Sequence, residues 1–210
     1  MVRPVILFGA DGTGKTVQAN ILLEMFEKTG FKSHRCWLRA RHGLAYLVSL
    51  VLLKLGGRSM RTLRGGSVLD VRGLPGSKLW ALLEFISVVP WVITRFYLPL
   101  LLGRRVVAER FVLDNIVYNE FFLGSSFEIY SRLLLRMIPR NAVLIHLDAE
   151  YRDALARKRN DLLSQDFLAY QLAAYRAWAR RLGAISLNTS RLDEFDTTRR
   201  ILEACEGVER

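Results

Sequence analysis

The apolar run Val5-Ile6-Leu7-Phe8 passes without a break into Gly9-Ala10-Asp11-Gly12-Thr13-Gly14-Lys15-Thr16, and this join constrains the fold more than any other feature of the chain. Four consecutive apolar residues read as a strand buried on both faces, the condition of a parallel sheet. Over 16–28 the residues Ile21, Leu22, Met25 and Phe26 recur at helical spacing, and Gly30 ends the pattern. Strand, glycine-rich turn and helix in that order match G-x-x-x-x-G-K-[ST], a phosphate-binding loop. Glycines let the backbone curl tightly enough to aim successive N–H groups at one phosphate, and the helix adds the positive end of its dipole. Gly9, Ala10, Asp11, Gly12, Thr13, Gly14, Lys15 and Thr16 are therefore the expected cradle for a nucleoside triphosphate. Lys15 reaches the β- and γ-phosphates, and the Thr16 hydroxyl ligates Mg2+. Asp11 is out of character in an anion cradle. Either it points away and accepts a hydrogen bond from a hydroxyl of a second substrate, or it is an exposed turn residue.

The remaining pattern repeats the alternation. Residues 33–38, 105–108, 142–147 and 184–187 read as four further strands, separated by helical patterns that include 44–55, read as mostly buried, and 167–181. Strands alternating with helices imply crossover connections and an α/β fold with a five-stranded parallel sheet flanked by helices. No composition shift divides the chain, so 1–210 is read as a single domain. Within it, 56–78 is a glycine-rich basic loop in which Arg58, Arg61, Arg64, Arg72 and Lys78 face only Asp70. From 79 to 102 the only charges are Glu84 and Arg95, a length that could span a bilayer. Pro90, Pro99 and those two charges favour instead a helix buried in the core or in a subunit interface.

Lys and Arg number 31 against 20 Asp and Glu, a net charge of +11. The excess suits a polyanion: a triphosphate, a nucleic acid or an anionic membrane surface. Cys36 and Cys205 make neither a disulfide framework nor a metal pattern, which points to a reducing, cytoplasmic setting, and Val5–Phe8 runs into a glycine loop rather than a leader-cleavage site. His34, His42 and His146 have no ligand spacing. Phosphoryl transfer asks mainly for positioning and positive charge, which Lys15, Arg110, Arg157 and Arg159 could supply from three sides. Glu109, ending a buried strand, could hold Mg2+ directly or through water. Plainer readings stay open: Glu109-Arg110 as an ion pair, Arg157-Lys158-Arg159 as a solvated helix face, Tyr118 as core packing.

These residues together resemble the thymidylate kinase family. Gly9–Thr16 matches every fixed position of that family's G-x-D-G-x-G-K-T, and Gln18 follows as it often does there. Val106-Val-Ala-Glu109-Arg110-Phe111 looks like its strand ending in Asp-Arg-Tyr, Tyr118-Asn119 like its Tyr-Gln, and Leu147-Asp148 followed by 157–166 like its lid. The resemblance implies a P-loop NTPase-type sheet with a short lid, ATP and Mg2+ as donor, a nucleoside monophosphate as acceptor, and a homodimer built on helices; neither nucleic acid nor membrane is expected as partner. By position, Asp11 would touch the acceptor's sugar, Arg110 its phosphate, and Glu109 the metal or sugar. Arg39 or Arg41 would fill the place of the arginine after the second strand, Phe85 would stack on the base, and Tyr118 and Asn119 would line the acceptor site.

The departures bear on the acceptor. Arg39-Ala-Arg41 replaces Arg-Glu-Pro, Asp114 replaces a serine, Phe8 replaces the acid before the loop, and Val89 stands where an arginine reads the base. Glu109-Arg110 is also similar to the Glu-Arg-Ser of deoxynucleoside kinases, whose phosphate loop lacks the Asp11 arrangement. A third reading, from another class, is a non-catalytic nucleotide-binding protein with peripheral membrane association through 44–55, 79–102 and the basic loop between them.

Overall fold

The computed structural model describes residues 3–38, 43–57, 59–61, 67–69, 77–158 and 164–207. Its strands are β1 (Val5–Phe8), β2 (Ser33–Trp37), β3 (Ser59–Arg61), β4 (Ser67–Leu69), β5 (Arg105–Arg110), β6 (Val143–Asp148) and β7 (Ile185–Asn188). The helices are α1 (Lys15–Lys28), α2 (Gly43–Lys54), α3 (Ser77–Val92), α4 (Leu98–Leu101), α5 (Val112–Leu123), α6 (Glu128–Leu135), α7 (Tyr151–Lys158), α8 (Gln165–Leu182) and α9 (Glu194–Gly207). Five strands form one parallel sheet in the order β2-β5-β1-β6-β7. Helices flank it, an arrangement consistent with a P-loop NTPase-type fold.

Side chains alternate across the pleat, so neighbouring residues of β1 enter different cores. Val5 and Leu7 join Val107, Ile145 and Leu187 beneath Ala19, Leu22 and Phe26 of α1 and Ile201 of α9. Ile6 and Phe8 join Val106 and Ala108 on the other face, covered by α3, α5 and α8 through Trp80, Val88, Ile116, Leu168 and Tyr175. Burial of each such large apolar side chain contributes roughly 1.5–3 kcal/mol. The connection leaving β1 runs toward β2, whereas the one leaving its neighbour β5 runs back past β1 to β6, so these adjacent strands send the chain in opposite directions across the sheet. The crevice at the carboxyl ends of these strands is where ligands bind in open α/β sheets.

Two expectations need correction, and a third is borne out on one face of its helix. The stretch 56–78 is not simply a loop: β3 and β4 pair as an antiparallel hairpin, Met60 opposite Val68. Helix α2 is not mostly buried. Only Ala45 and Ser49 are, while Leu44, Tyr46, Leu47, Leu50 and Val51, with Leu55 just beyond its end, are exposed, because the helix packs on one side, against α3 and β4. The apolar stretch 79–102 is α3, a π-helical turn at Ile93–Tyr97 just after Pro90, and α4. It packs into the core along one face and exposes Leu79, Leu82, Ile86, Ile93, Leu98 and Leu101 on the other.

Candidate functional site

The glycine-rich loop 9–14 leaves β1 and is wedged between β6 and α7. At Gly9 (φ +152°) a Cβ would run into the Leu147 carbonyl of β6, and at Gly12 (φ +85°) into the Ala154 carbonyl of α7. Both the backbone angle and the space demand glycine at these two positions. Thr13 Oγ1 donates to the Ala10 carbonyl at 2.9 Å, fastening the loop, and α1 begins directly at Lys15.

Lys15 lies over this loop, 5% exposed, with Nζ donating to the carbonyls of Gly9 and Ala10 at 2.6 Å each. Burial, seconded by the neighbouring Arg110 guanidinium, pushes its ammonium down to about 8. The Thr16 hydroxyl donates to Glu109 Oε1. Arg35 of β2 holds Glu109 Oε2 and also donates to Asn20 Oδ1 at 2.9 Å. Thr16 and Glu109 thus place two hard oxygen donors side by side at the start of α1, a fit for Mg2+. Among the described residues no cluster of three or more His, Cys, Asp or Glu could hold a metal. Mg2+ in phosphoryl-transfer sites characteristically takes one or two protein ligands and completes its shell with phosphate oxygens and water, so the pair suffices.

Arg110 follows Glu109 but turns to different partners. Its guanidinium pairs with Asp11 and, at 3.0 Å, with Asp114 Oδ1. Glu109 and Arg110 are therefore not paired with each other as the strand-end ion pair that their adjacency suggests. Nor is Asp11 a free turn residue: besides Arg110, its backbone N–H donates to Gln171 Oε1 at 3.2 Å. Burial works against the Asp11 charge, but Arg110 and then Lys15 hold the carboxyl down at about 2. Asp114, deeper and beside the Tyr175 phenol, is raised by burial above the usual carboxylate range, with Arg110 pulling the other way. Arg110 itself is opposed by burial, yet Asp11 and Asp114 raise it above its ordinary value.

The other expected residues fall in several places. Arg157 is exposed on α7 and donates to Gly12 O at 3.3 Å and Thr189 O at 3.0 Å, bracing the loop against the turn after β7. It is part of α7, and Ser164 caps α8 by accepting from Phe167 N at 3.0 Å. Arg39, Arg41, Arg159 and the middle of the lid expected at 157–166 lie outside the described residues. Phe85 packs on Tyr130 of α6, ring centroids 5.5 Å apart. Tyr118 packs on Phe122 at 4.6 Å, and Asn119 donates to Asn115 O at 3.0 Å. The structure therefore brings Asp11, Lys15, Thr16, Glu109 and Arg110 into one cluster, with Phe85, Tyr118 and Asn119 in contact with neighbouring helix residues.

Sequence reasoning missed Arg35, Gln171 and Arg176. The last holds Asp148, at the end of β6, with Nε 2.8 Å from Oδ2. Tyr175 was legible only as one residue of the apolar stripe of α8; that its hydroxyl end lies beside Asp114 follows from the crossing of α8 over the strand ends. No protein-family model matches the chain, and no curated protein matches it. The sheet defines the chain as a parallel α/β protein, with an architecture consistent with the P-loop NTPase type.

Proposed function

We propose that this chain transfers the terminal phosphoryl group of ATP to a nucleoside monophosphate, in the manner of the thymidylate kinase family that its motifs resemble. The observation that carries the reading is the placing of Arg110 beside the phosphate-binding loop, held by Asp11 from within that loop and by Asp114. A triphosphate cradle explains Lys15 and Thr16. A second guanidinium on the adjacent strand, preset by two carboxylates, suits a second phosphate.

On this reading the loop N–H groups and Lys15 bind the donor's phosphates, and Arg110 orients the acceptor so that its phosphate oxygen lies in line with the transferred group. Mg2+ held near Thr16 and Glu109 would neutralise charge on the donor's β- and γ-phosphates. Asp11 and Asp114 keep the guanidinium planar fork aimed, and Arg157 keeps the loop seated. The deciding experiment is a transfer screen with Mg-ATP over all nucleoside monophosphates and nucleosides. Diphosphate products support the proposal; phosphorylation of nucleosides alone assigns a deoxynucleoside kinase; ATP binding without any transfer overturns catalysis.

Donor binding should depend on pH through Lys15. Its ammonium titrates at about 8 in the protein, and bound phosphates favour the charged form, so binding above that pH takes up a proton. ATP affinity is expected to fall as pH rises past about 8, approaching tenfold per unit. Calorimetric titration from neutral to alkaline pH checks this, with Lys15→Met as the variant in which the slope disappears. A pH-independent affinity in the parent protein would contradict the assignment of Lys15.

Base discrimination should be weak. Val89 is half-buried and offers no donor, and Phe85 can contribute only an apolar ring. Stacking tolerates any flat base, whereas a polar reader separates bases by large factors. We expect kcat/KM for dTMP to exceed that for dUMP, dCMP, dAMP or dGMP by no more than about tenfold. A preference on the order of ten-thousandfold would mean that another side chain reads the base.

A further inference from the structure

We propose that the exposed faces of α2 and of the continuous helical segment Lys78–Leu101 dock together on an anionic lipid bilayer, with the protein lying on the membrane surface rather than crossing it. The segment is 24 residues long and apolar enough, by length and composition, to span a bilayer. Its inner face excludes that use: Trp80, Ala81, Val88, Val92 and Phe96 belong to the core cluster that covers the sheet. A helix committed on one face and apolar on the other is built to lie along an interface.

The outer face is long and continuous. Leu79, Ile86, Ile93 and Leu101 lie along some 22 residues of helix, about 33 Å, and Leu79 and Leu101 are 71% and 84% exposed. Helix α2, packed beside α3, adds Leu47, and Leu55 just beyond its end is 77% exposed. An apolar surface on this scale marks an interaction site.

Charge selects the occupant. The charged residues of 43–57 and 77–104 are Lys54, Lys78, Glu84, Arg95 and Arg104. Glu84, the acid among them, is 1% exposed, whereas all four cations are exposed. A two-fold interface with a second copy would set this basic rim against itself, with no exposed acid on either helix to meet it. Anionic headgroups supply the missing charge, and each basic residue at such a surface strengthens binding about fivefold. Arg95 lies over the Trp91 ring at 4.5 Å, and Tyr46 is exposed on α2. Amphipathic rings of this kind favour the headgroup layer.

The proposal is independent of phosphoryl transfer and is read without nucleotide. Full-length protein is floated with vesicles of phosphatidylcholine alone or containing about one third phosphatidylserine. The expected result is at least tenfold stronger partition onto the anionic vesicles, weakened at high salt. Leu47→Glu/Ile86→Glu, both at exposed sites, should abolish binding without lowering the melting temperature. Lys54→Glu/Lys78→Glu, which leaves the apolar face intact, should weaken binding by twentyfold or more, about fivefold per cation, and carries the test if the first variant folds poorly. Failure to bind anionic vesicles overturns the proposal, as does equal binding to neutral ones. So does a dimer that ignores vesicles and is dissolved by Leu47→Glu/Ile86→Glu, which would assign the face to a second copy.

Discussion

Replacing Lys15 with alanine is expected to lower turnover by about a hundredfold or more while leaving the protein folded. The ammonium sits on the Gly9 and Ala10 carbonyls of the loop proposed to receive the donor's phosphates, and it is buried, where its field is poorly screened. Charge preorganised at a transferred phosphoryl group acts mainly on the transition state, so kcat should carry most of the loss. Stability should not follow it down. Burial already works against the Lys15 charge, pushing its ammonium to about 8, so removal relieves a desolvation cost while the Gly9 and Ala10 carbonyls lose one donor. Steady-state kinetics and a thermal melt on the same preparation test both halves. Turnover within a few-fold of the parent would remove the mechanism proposed here.

The second large effect is expected at Arg110, where function and fold meet. In Arg110→Met the carboxylates of Asp11 and Asp114 lose the guanidinium between them, and a buried charge left without its partner typically costs about 3 kcal/mol or more. That variant should melt several degrees lower, and Asp114→Asn added to it should restore part of the loss by removing one orphaned acid. Arg110→Lys keeps the charge but not the planar fork. Its stability should fall less, while KM for the acceptor rises strongly and KM for ATP changes little. Equal losses for both substrates would identify Arg110 as purely structural.

Much of the fold was legible because its signals are local. Val5–Phe8 has no polar residue to compromise its burial, the loop has glycine where neighbouring carbonyls exclude a Cβ, and the α8 stripe of Leu168, Leu172, Tyr175 and Ala179 repeats at helical spacing. What misled was apolar content without periodicity. Along 44–55 nearly every residue is apolar, so no pattern distinguishes the face packed on α3 from the face left exposed, and hydrophobicity alone suggested burial. The β3–β4 hairpin was hidden because three-residue strands among glycines give too few alternations to register. The site's partnerships were illegible for another reason. Asp11 meets Arg110, 99 residues away, only because β1 and β5 are neighbours, and no local spacing encodes the order of strands in a sheet.

The central position of β1 also sets when this protein can assemble. Val5 pairs with Val107 on one side and with Val143 on the other, so neither ladder of the first strand is local. At synthesis rates of roughly 5–20 residues per second, the second partner follows the first strand by about seven to thirty seconds. During that interval an apolar strand stays unpaired, and loop closures of this length must precede the contacts that reward them, which makes folding slow. The seat of the glycine-rich loop is later still, since Gly9 closes against Leu147 and Gly12 against Ala154. The loop can therefore reach its final seat only after residues through Ala154 have emerged.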